Sequence, residues 1–300
     1  MKTTCRLASV AALFLPLLLS GCFMFVTTRK LPVPKAPAIT RTVAPEELVS
    51  RVNQRWNALE SLNASVEIQA SVMKSKEGVA KDYTTVPGII LLRKPAMLRV
   101  YGRVPVIGTR AFDMVSDGTN FTLYIPSKNK AIKGSNSLEK KSLNQMENMR
   151  PGFFFDAMVV RGLEKDDYYS VTADTETVED AAKKHLYTVP EYILSIMRRK
   201  PGSQELEPIR VVTFSRDTLQ PYQQDIYDKE GNLETQVNYA DYRQFDSGLY
   251  PSKVTIKRPL EEYQIVLTVG SVKENQKDPP LTDDQFVVKI PEGTVTQNLE

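Results

Sequence analysis

The sequence predicts a mainly β protein (α+β) organised as one large antiparallel sheet with few helices. Three observations lead there. Apolar and polar residues alternate through one short segment after another from about Leu62 to about Lys273. Tight-turn residues separate those segments. No tandem repeat and no second linker interrupts the run, so a single domain over residues 45–300 is the economical reading.

Ahead of that domain, Lys2 and Arg6 precede a hydrophobic run that begins at Leu7. The run is too short and lopsided for a membrane span and ends in small residues, so residues 1–21 read as a secretory signal. It closes on Leu19-Ser20-Gly21-Cys22, which looks like a bacterial lipobox. In that pattern the chain is cut before Cys22, whose sulfur carries a diacylglycerol. The expected membrane partner is then a bilayer held through the N-terminal lipid. Residues 22–44 show no periodicity and contain Pro32, Pro34 and Pro37. They read as a semi-stiff tether, which at roughly 3 Å per residue reaches about 60–70 Å.

The first helix comes next. Pro45 suits its first turn, Glu46 and Glu47 complement its N-terminus, and Leu48, Val52, Trp56 and Leu59 share one face. The period then switches to two. Ala64, Val66, Ile68, Ala70 and Val72 alternate with Ser65, Glu67, Gln69 and Ser71, as in a half-buried strand. Gly88–Leu92 is a short apolar run, Leu98 and Val100 alternate with Arg99 and Tyr101, and Phe112 and Met114 continue the pattern. Asp117-Gly118 predicts a hairpin turn into Phe121, Leu123 and Ile125, and Pro126–Asn129 another into a strand near Lys130–Lys133. Ser142–Met149 is a weak amphipathic helix. Pro151 opens a better one, with Phe154, Phe155, Met158 and Val159 on a broad apolar face that Gly162 ends. That face is too apolar to stand alone and should pack on the concave side of the sheet. Strands resume at Tyr168–Thr172 and Leu186–Met197, although Glu191–Arg199 is also compatible with a helix. Further strands are expected at Ile209–Phe214, Tyr222–Tyr227, Thr235–Tyr242, Lys253–Lys257 and Glu262–Val272, with a tail strand at Phe286–Ile290 before Pro291-Glu292-Gly293.

Composition narrows the function. The formal net charge is +3, falling to +1 once Lys2 and Arg6 leave with the signal, and no basic stripe suggests a nucleic-acid partner. Of two cysteines, Cys5 lies in the signal and Cys22 would carry lipid, so no disulfide holds the mature domain. The single histidine, His185, reads as a partly exposed strand residue and supports neither a catalytic triad nor a His-rich metal site. Asp166-Asp167, Glu261-Glu262 and Asp283-Asp284 read as solvated loop charges rather than acid/base pairs, and no Gly-rich phosphate loop is present. No catalytic residue, metal or cofactor is expected.

Local pieces of the chain resemble the LolA/LolB family of periplasmic lipoprotein carriers and receptors. Asp117-Gly118-Thr119-Asn120-Phe121-Thr122-Leu123-Tyr124-Ile125-Pro126 is similar to that family's D-G hairpin ending in Y-x-P. Arg93-Lys94-Pro95 leading into Leu98-Arg99-Val100 is similar to its R-x-P stretch, and Phe286 through Pro291 and Gly293 to its closing F-x-φ-x-x-P-x-G. In order, these pieces cover most of Leu62–Gly293.

The resemblance implies an unclosed β-barrel capped by helices, with a hydrophobic cavity for lipoprotein acyl chains. Val66, Ile68, Leu98, Val100, Met114, Phe121, Leu123, Phe154, Phe155 and Met158 are the expected cavity lining. Cys22 favours the anchored, LolB-like member over the soluble carrier. That implies attachment to the outer membrane, facing the periplasm, with a periplasmic carrier protein as a further partner. Val104-Pro105-Val106-Ile107, at the tip of a hairpin, is similar to the receptor's apolar loop and is the expected membrane-facing element. The chain is longer than the family pattern, with the tether and extra residues around Val178–Lys184 and Ser203–Pro208. The competing reading is a scaffolding envelope lipoprotein whose groove is filled by its own Phe154, Phe155 and Met158.

Overall fold

The computed structural model describes residues 40–74, 78–136, 151–179 and 186–299. The signal segment, Cys22, most of the tether, the helix expected at Ser142–Met149, and His185 lie outside the described residues. Two compact units divide the chain, Met1–Ala36 with Thr177–Thr188, and Pro37–Glu176 with Val189–Glu300. Of the first, only the strand residues 177–179 and 186–188 are described, and every other described residue belongs to the second.

Among the described residues fifteen strands form one unclosed sheet. They are β1 (Ser61–Lys74), β2 (Val79–Asp82), β3 (Val86–Arg93), β4 (Met97–Arg103), β5 (Arg110–Ser116), β6 (Asn120–Ile125), β7 (Lys130–Ser135), β8 (Asp167–Glu179), β9 (Leu186–Arg199), β10 (Leu206–Ser215), β11 (Pro221–Tyr227), β12 (Leu233–Phe245), β13 (Gly248–Arg258), β14 (Tyr263–Glu274) and β15 (Val295–Asn298). Their order across the sheet is β15-β7-β6-β5-β4-β3-β1-β14-β13-β12-β11-β10-β9-β8, with β2 added beside β1. Two meanders are thus zipped together by β1 and β14, in a register from Leu62–Glu274 to Val72–Tyr263.

Helix α1 (Pro45–Ala58) starts as its sequence dictates, with Pro45 in the first turn and Glu46 and Glu47 at the positive end of the helix dipole. It buries Leu48, Val49 and Val52. Helix α2 (Pro151–Met158) buries Phe153, Phe154, Phe155, Ala157 and Met158, which is most of its circumference. A helix apolar all round needs walls all round. It touches β4 and β5 on one side and β13 on the other. Five strand spacings separate β5 from β13, about 24 Å if the sheet were flat. A helix about 10–12 Å across can meet both only if the sheet curls around it. The main core is the result: residues of β1, β3–β7 and β12–β14 close on the aromatics of α2.

Three features depart from the sequence reading, and one alternative that it left open is closed. The sheet is mixed rather than wholly antiparallel, because β15 pairs with β7 in parallel, from Val295–Lys130 to Asn298–Lys133. A four-residue strand carries too little periodicity to show its direction. The tail expected as a strand at Phe286–Ile290 is instead a 3-10 turn at Asp283–Phe286 followed by irregular chain. It is held by Phe286 packing against Leu91 and Leu281. Glu191–Arg199 belongs to β9, paired with β10 from Glu191–Ser215 to Arg199–Leu206, so the helical alternative fails. Strand β2, exposed along its length, has no counterpart in the sequence reading.

The Asp117-Gly118 turn forms as read: Gly118 has φ +96° and Asp117 Oδ1 accepts the amides of Thr119 and Asn120 at 2.8 and 2.7 Å. A Cβ on Gly118 would stand 2.7 Å from that of Ala96, so both backbone angle and space require glycine.

Candidate functional site

Helix α1 crosses the end of the sheet where the β10–β11 and β12–β13 turns lie. Its N-terminal half packs with Tyr192, Leu194, Val212 and Phe214 in a second core, and Leu59, just past its end, joins the main core. It is held over the end of α2 by a close approach: Asn53 Oδ1 accepts the amide of Leu163 at 2.8 Å, and a Cβ on Gly162 would lie within 2.9 Å of Trp56. Lys94, in the β3–β4 turn, donates to the Trp56 carbonyl and stacks over the indole at 4.3 Å.

Between α1, the end of α2 and strands β10–β13 a cavity of about 300 Å³ is left. Its apolar wall is Leu48, Val52, Leu59, Met158, Phe214 and Leu219, with Tyr239, Tyr242 and Tyr250 across from them. Exposed Arg41, Arg51, Arg55 and Leu249 also line it, so it reaches solvent. No carboxylate is among its lining residues. Strict alternation would place Tyr239 and Tyr242 on opposite faces of β12. Asp241, left-handed at φ +54°, turns the strand so that both line the cavity.

The tyrosines act as neutral groups. Burial pushes the phenols of Tyr239, Tyr250 and Tyr242 above their ordinary range, so none ionises near neutral pH. Two of their protons are committed within the fold: Tyr250 donates to the Met158 carbonyl at 2.5 Å and Tyr242 to the Pro221 carbonyl at 2.6 Å. The phenol oxygen of Tyr239 accepts from Gln224 at 3.3 Å. The charge at the site is therefore cationic. Arg51 is steadied by Glu47, one turn earlier, at 2.8 Å. Arg55 makes a two-pronged pair with Glu274 of β14, and its pKa is raised, chiefly by that hydrogen bond.

The ten residues expected to line a cavity are all buried, and all belong to the main core around α2. Met158 alone of them lines the observed cavity. Of the expected membrane-facing tip, Pro105, Val106 and Ile107 are exposed and Val104 is half-buried. Val106 is fully exposed, and Ile107 is 72% exposed.

Two of the carboxylate pairs are not the solvated charges they resembled. Glu261 is 6% exposed, with Arg258 as its partner, and Asp167 is held by Arg198 at 2.7 Å. In each case a strand places an arginine where the carboxylate folds back, which the local sequence does not reveal. Among the described residues no three His, Cys, Asp or Glu side chains gather to hold a metal ion.

Fold and cavity together define the class: an open sheet, plugged by one helix and bridged by another, that leaves an apolar pocket at one end. No protein-family model matches the chain, and no curated protein matches it. Solved structures are similar in fold. A DUF1329 family protein from Desulfovibrio piger matches at 15% identity with a TM-score of 0.52, over 80% of this chain and 95% of its own. A LolA superfamily protein from Nitrosomonas europaea matches at 13% identity and TM-score 0.48, over 82% and 99%. An outer membrane lipoprotein-sorting protein domain from Vibrio parahaemolyticus matches at 12% and 0.48, over 80% and 94%. The likeness to the first of these, at 15% identity, concerns fold and nothing finer.

Proposed function

We propose that this chain is a non-catalytic, lipid-anchored protein of the bacterial envelope that takes an acyl chain into the cavity beneath α1 and serves in lipoprotein localisation or insertion. The observation that carries the reading is the cavity itself, apolar inside and open to solvent at an arginine rim. At about 300 Å³ it is at the small end of ligand sites. It has room for about ten methylene-sized groups if each fills the volume share of a water. Burying each methylene contributes about 0.8 kcal/mol, and binding itself costs about 4–15 kcal/mol, so such a site binds and still releases. On this reading, native mass spectrometry of the gently isolated protein shows co-purifying acyl lipid. A clean apo mass that also ignores added acyl lipid sinks it.

Membrane attachment rests on Cys22, and contact with a bilayer on the β4–β5 tip. Val106 is β-branched, fully exposed, and held at φ +69°. A left-handed backbone costs such a residue roughly 1–2 kcal/mol, and no burial offsets it here. Strain without a folding benefit favours a role at a surface. Exposed Met73, Val79, Tyr83 and Leu260 lie toward the same end of the sheet, through the β1–β2 and β13–β14 connections. That end is opposite the one α1 crosses. Accordingly, Cys22→Ala, exported behind a cleavable signal, moves the protein out of the membrane fraction, and Val106→Ser with Ile107→Ser weakens flotation of that released form with liposomes. Fractionation that ignores Cys22→Ala rejects the anchor, and flotation that ignores the double substitution rejects the tip.

One observation favours the scaffolding alternative. All ten residues expected around a groove are buried in one core together with α2, and nine of them lie outside the cavity lining, which favours a sheet centre filled by the chain's own side chains. A protein partner captured by an envelope that yields no bound lipid is the result that reading expects.

A further inference from the structure

We infer that the cavity selects single-chain amphiphiles with an anionic head, a carboxylate or a phosphate, over neutral or multi-chain lipids; this rests on the reading of the cavity as an acyl site. Charge at the rim carries the argument. Arg41 precedes α1, and Arg51 and Arg55 stand one turn apart on it, so three guanidiniums share one lining that holds no carboxylate. Like charges four residues apart on a helix repel. Two acids answer them from outside the lining, Glu47 holding Arg51 and Glu274 holding Arg55. Among the described residues no carboxylate pairs with Arg41, whose backbone is pinned by its amide donating to the Arg216 carbonyl at 2.7 Å. The rim thus keeps more cationic than anionic groups facing the opening. Guanidinium forks match carboxylate and phosphate oxygens.

The remaining polar groups do not compete for a head. The hydroxyls of Tyr242 and Tyr250 donate to backbone carbonyls, and the other polar lining residues, Thr218, Gln220 and Tyr239, carry no charge, so the arginines are the charged groups of the lining. Size sets the number of tails. Room for about ten methylene-sized groups suits one chain, and the neighbouring core is occupied by α2.

The test uses the full mature chain from residue 22, exported behind a cleavable signal and unlipidated through Cys22→Ala. Four probes with the same twelve-carbon tail, a number of about the size the cavity volume allows, are compared by isothermal titration: dodecanoate, lauroyl lysophosphatidylglycerol, lauroyl lysophosphatidylcholine and monolaurin. The two anionic probes bind about tenfold or more tighter than the other two, as a charge-assisted contact requires. Arg41→Gln with Arg51→Gln, both at exposed positions, removes that advantage, so that the anionic probes bind the variant no tighter than monolaurin does. A tighter dodecanoate identifies the head as carboxylate, and a tighter lysophosphatidylglycerol as phosphate. Equal affinity for all four, or an anionic preference untouched by the arginine substitutions, overturns the selection and leaves the acyl site standing. Binding of none of them overturns the acyl site itself.

Discussion

Replacing Phe154 with alanine is expected to lower the stability of the domain by about 3–5 kcal/mol, the usual loss for a buried aromatic truncated in a packed core. Phe154 is 1% exposed and stacks on Phe153 with ring centroids 4.3 Å apart. Phe153 in turn packs against Tyr263 of β14, so the lost ring leaves a gap where helix and both halves of the sheet meet. An aromatic pair adds about 0.5–1.5 kcal/mol beyond area burial, which places the effect toward the upper end. Denaturant or thermal unfolding reads it, with a fall in Tm of roughly 10 °C at about 2–4 °C per kcal/mol for a large domain. A shift within a degree would mean that α2 spends its time away from the sheet, and the centre of the sheet would then count as available ligand space. The full loss makes α2 a permanent plug and leaves the pocket beneath α1 as the space a ligand can use.

How much the sequence disclosed depends on how far each signal reaches. The helix at Pro45, the hairpin at Asp117-Gly118, the alternation in Ala64–Val72 and the apolar helix opened by Pro151 are local patterns, and each formed where its residues indicated. Pairing direction at β15 and the irregular path after Phe286 depend on partners more than 100 residues away in sequence, such as Lys130 and Leu91. The cavity was hidden for a related reason. Apolar residues on an inward face look the same whether other side chains fill the space before them or not, so Leu98 and Phe121 read as lining although both are buried in the same core as α2. The residues that do line it carried a weaker signal. Arg51 and Arg55 lie outside the apolar set Leu48, Val52, Trp56 and Leu59 that marks the helix, and the left-handed Asp241 puts Tyr242 on a face that strict alternation would not give it. The four-residue spacing of those arginines beside the aromatic-rich β12 and β13 was the one available hint.

Asp113 makes the second large prediction. Its side chain is 0% exposed, and Arg99 grips it with two prongs, Nε to Oδ1 at 2.9 Å and Nη2 to Oδ2 at 2.7 Å, while Arg110 reaches Oδ2 as well. The pairing raises the Arg99 pKa, mainly through the hydrogen bond to Asp113. The remaining Arg99 nitrogen donates to the Gln285 carbonyl at 2.8 Å, which ties the C-terminal segment to β4. Asp113→Ala leaves Arg99, nearly buried, without its counter-charge, at an expected cost of about 3–5 kcal/mol. Much of that cost is the stranded cation rather than the worth of the pair, because two charges taken from water lose solvation that their attraction only partly restores. The triple change Arg99→Met, Asp113→Leu and Arg110→Leu should therefore recover most of the stability lost by the single one. Unfolding midpoints of the two variants decide the matter. If Asp113→Ala costs under about 1 kcal/mol, the site is as screened as a surface ion pair. If the triple variant is as damaged as the single one, the ion cluster is itself what holds the C-terminal segment to β4, through the Arg99 bond to the Gln285 carbonyl.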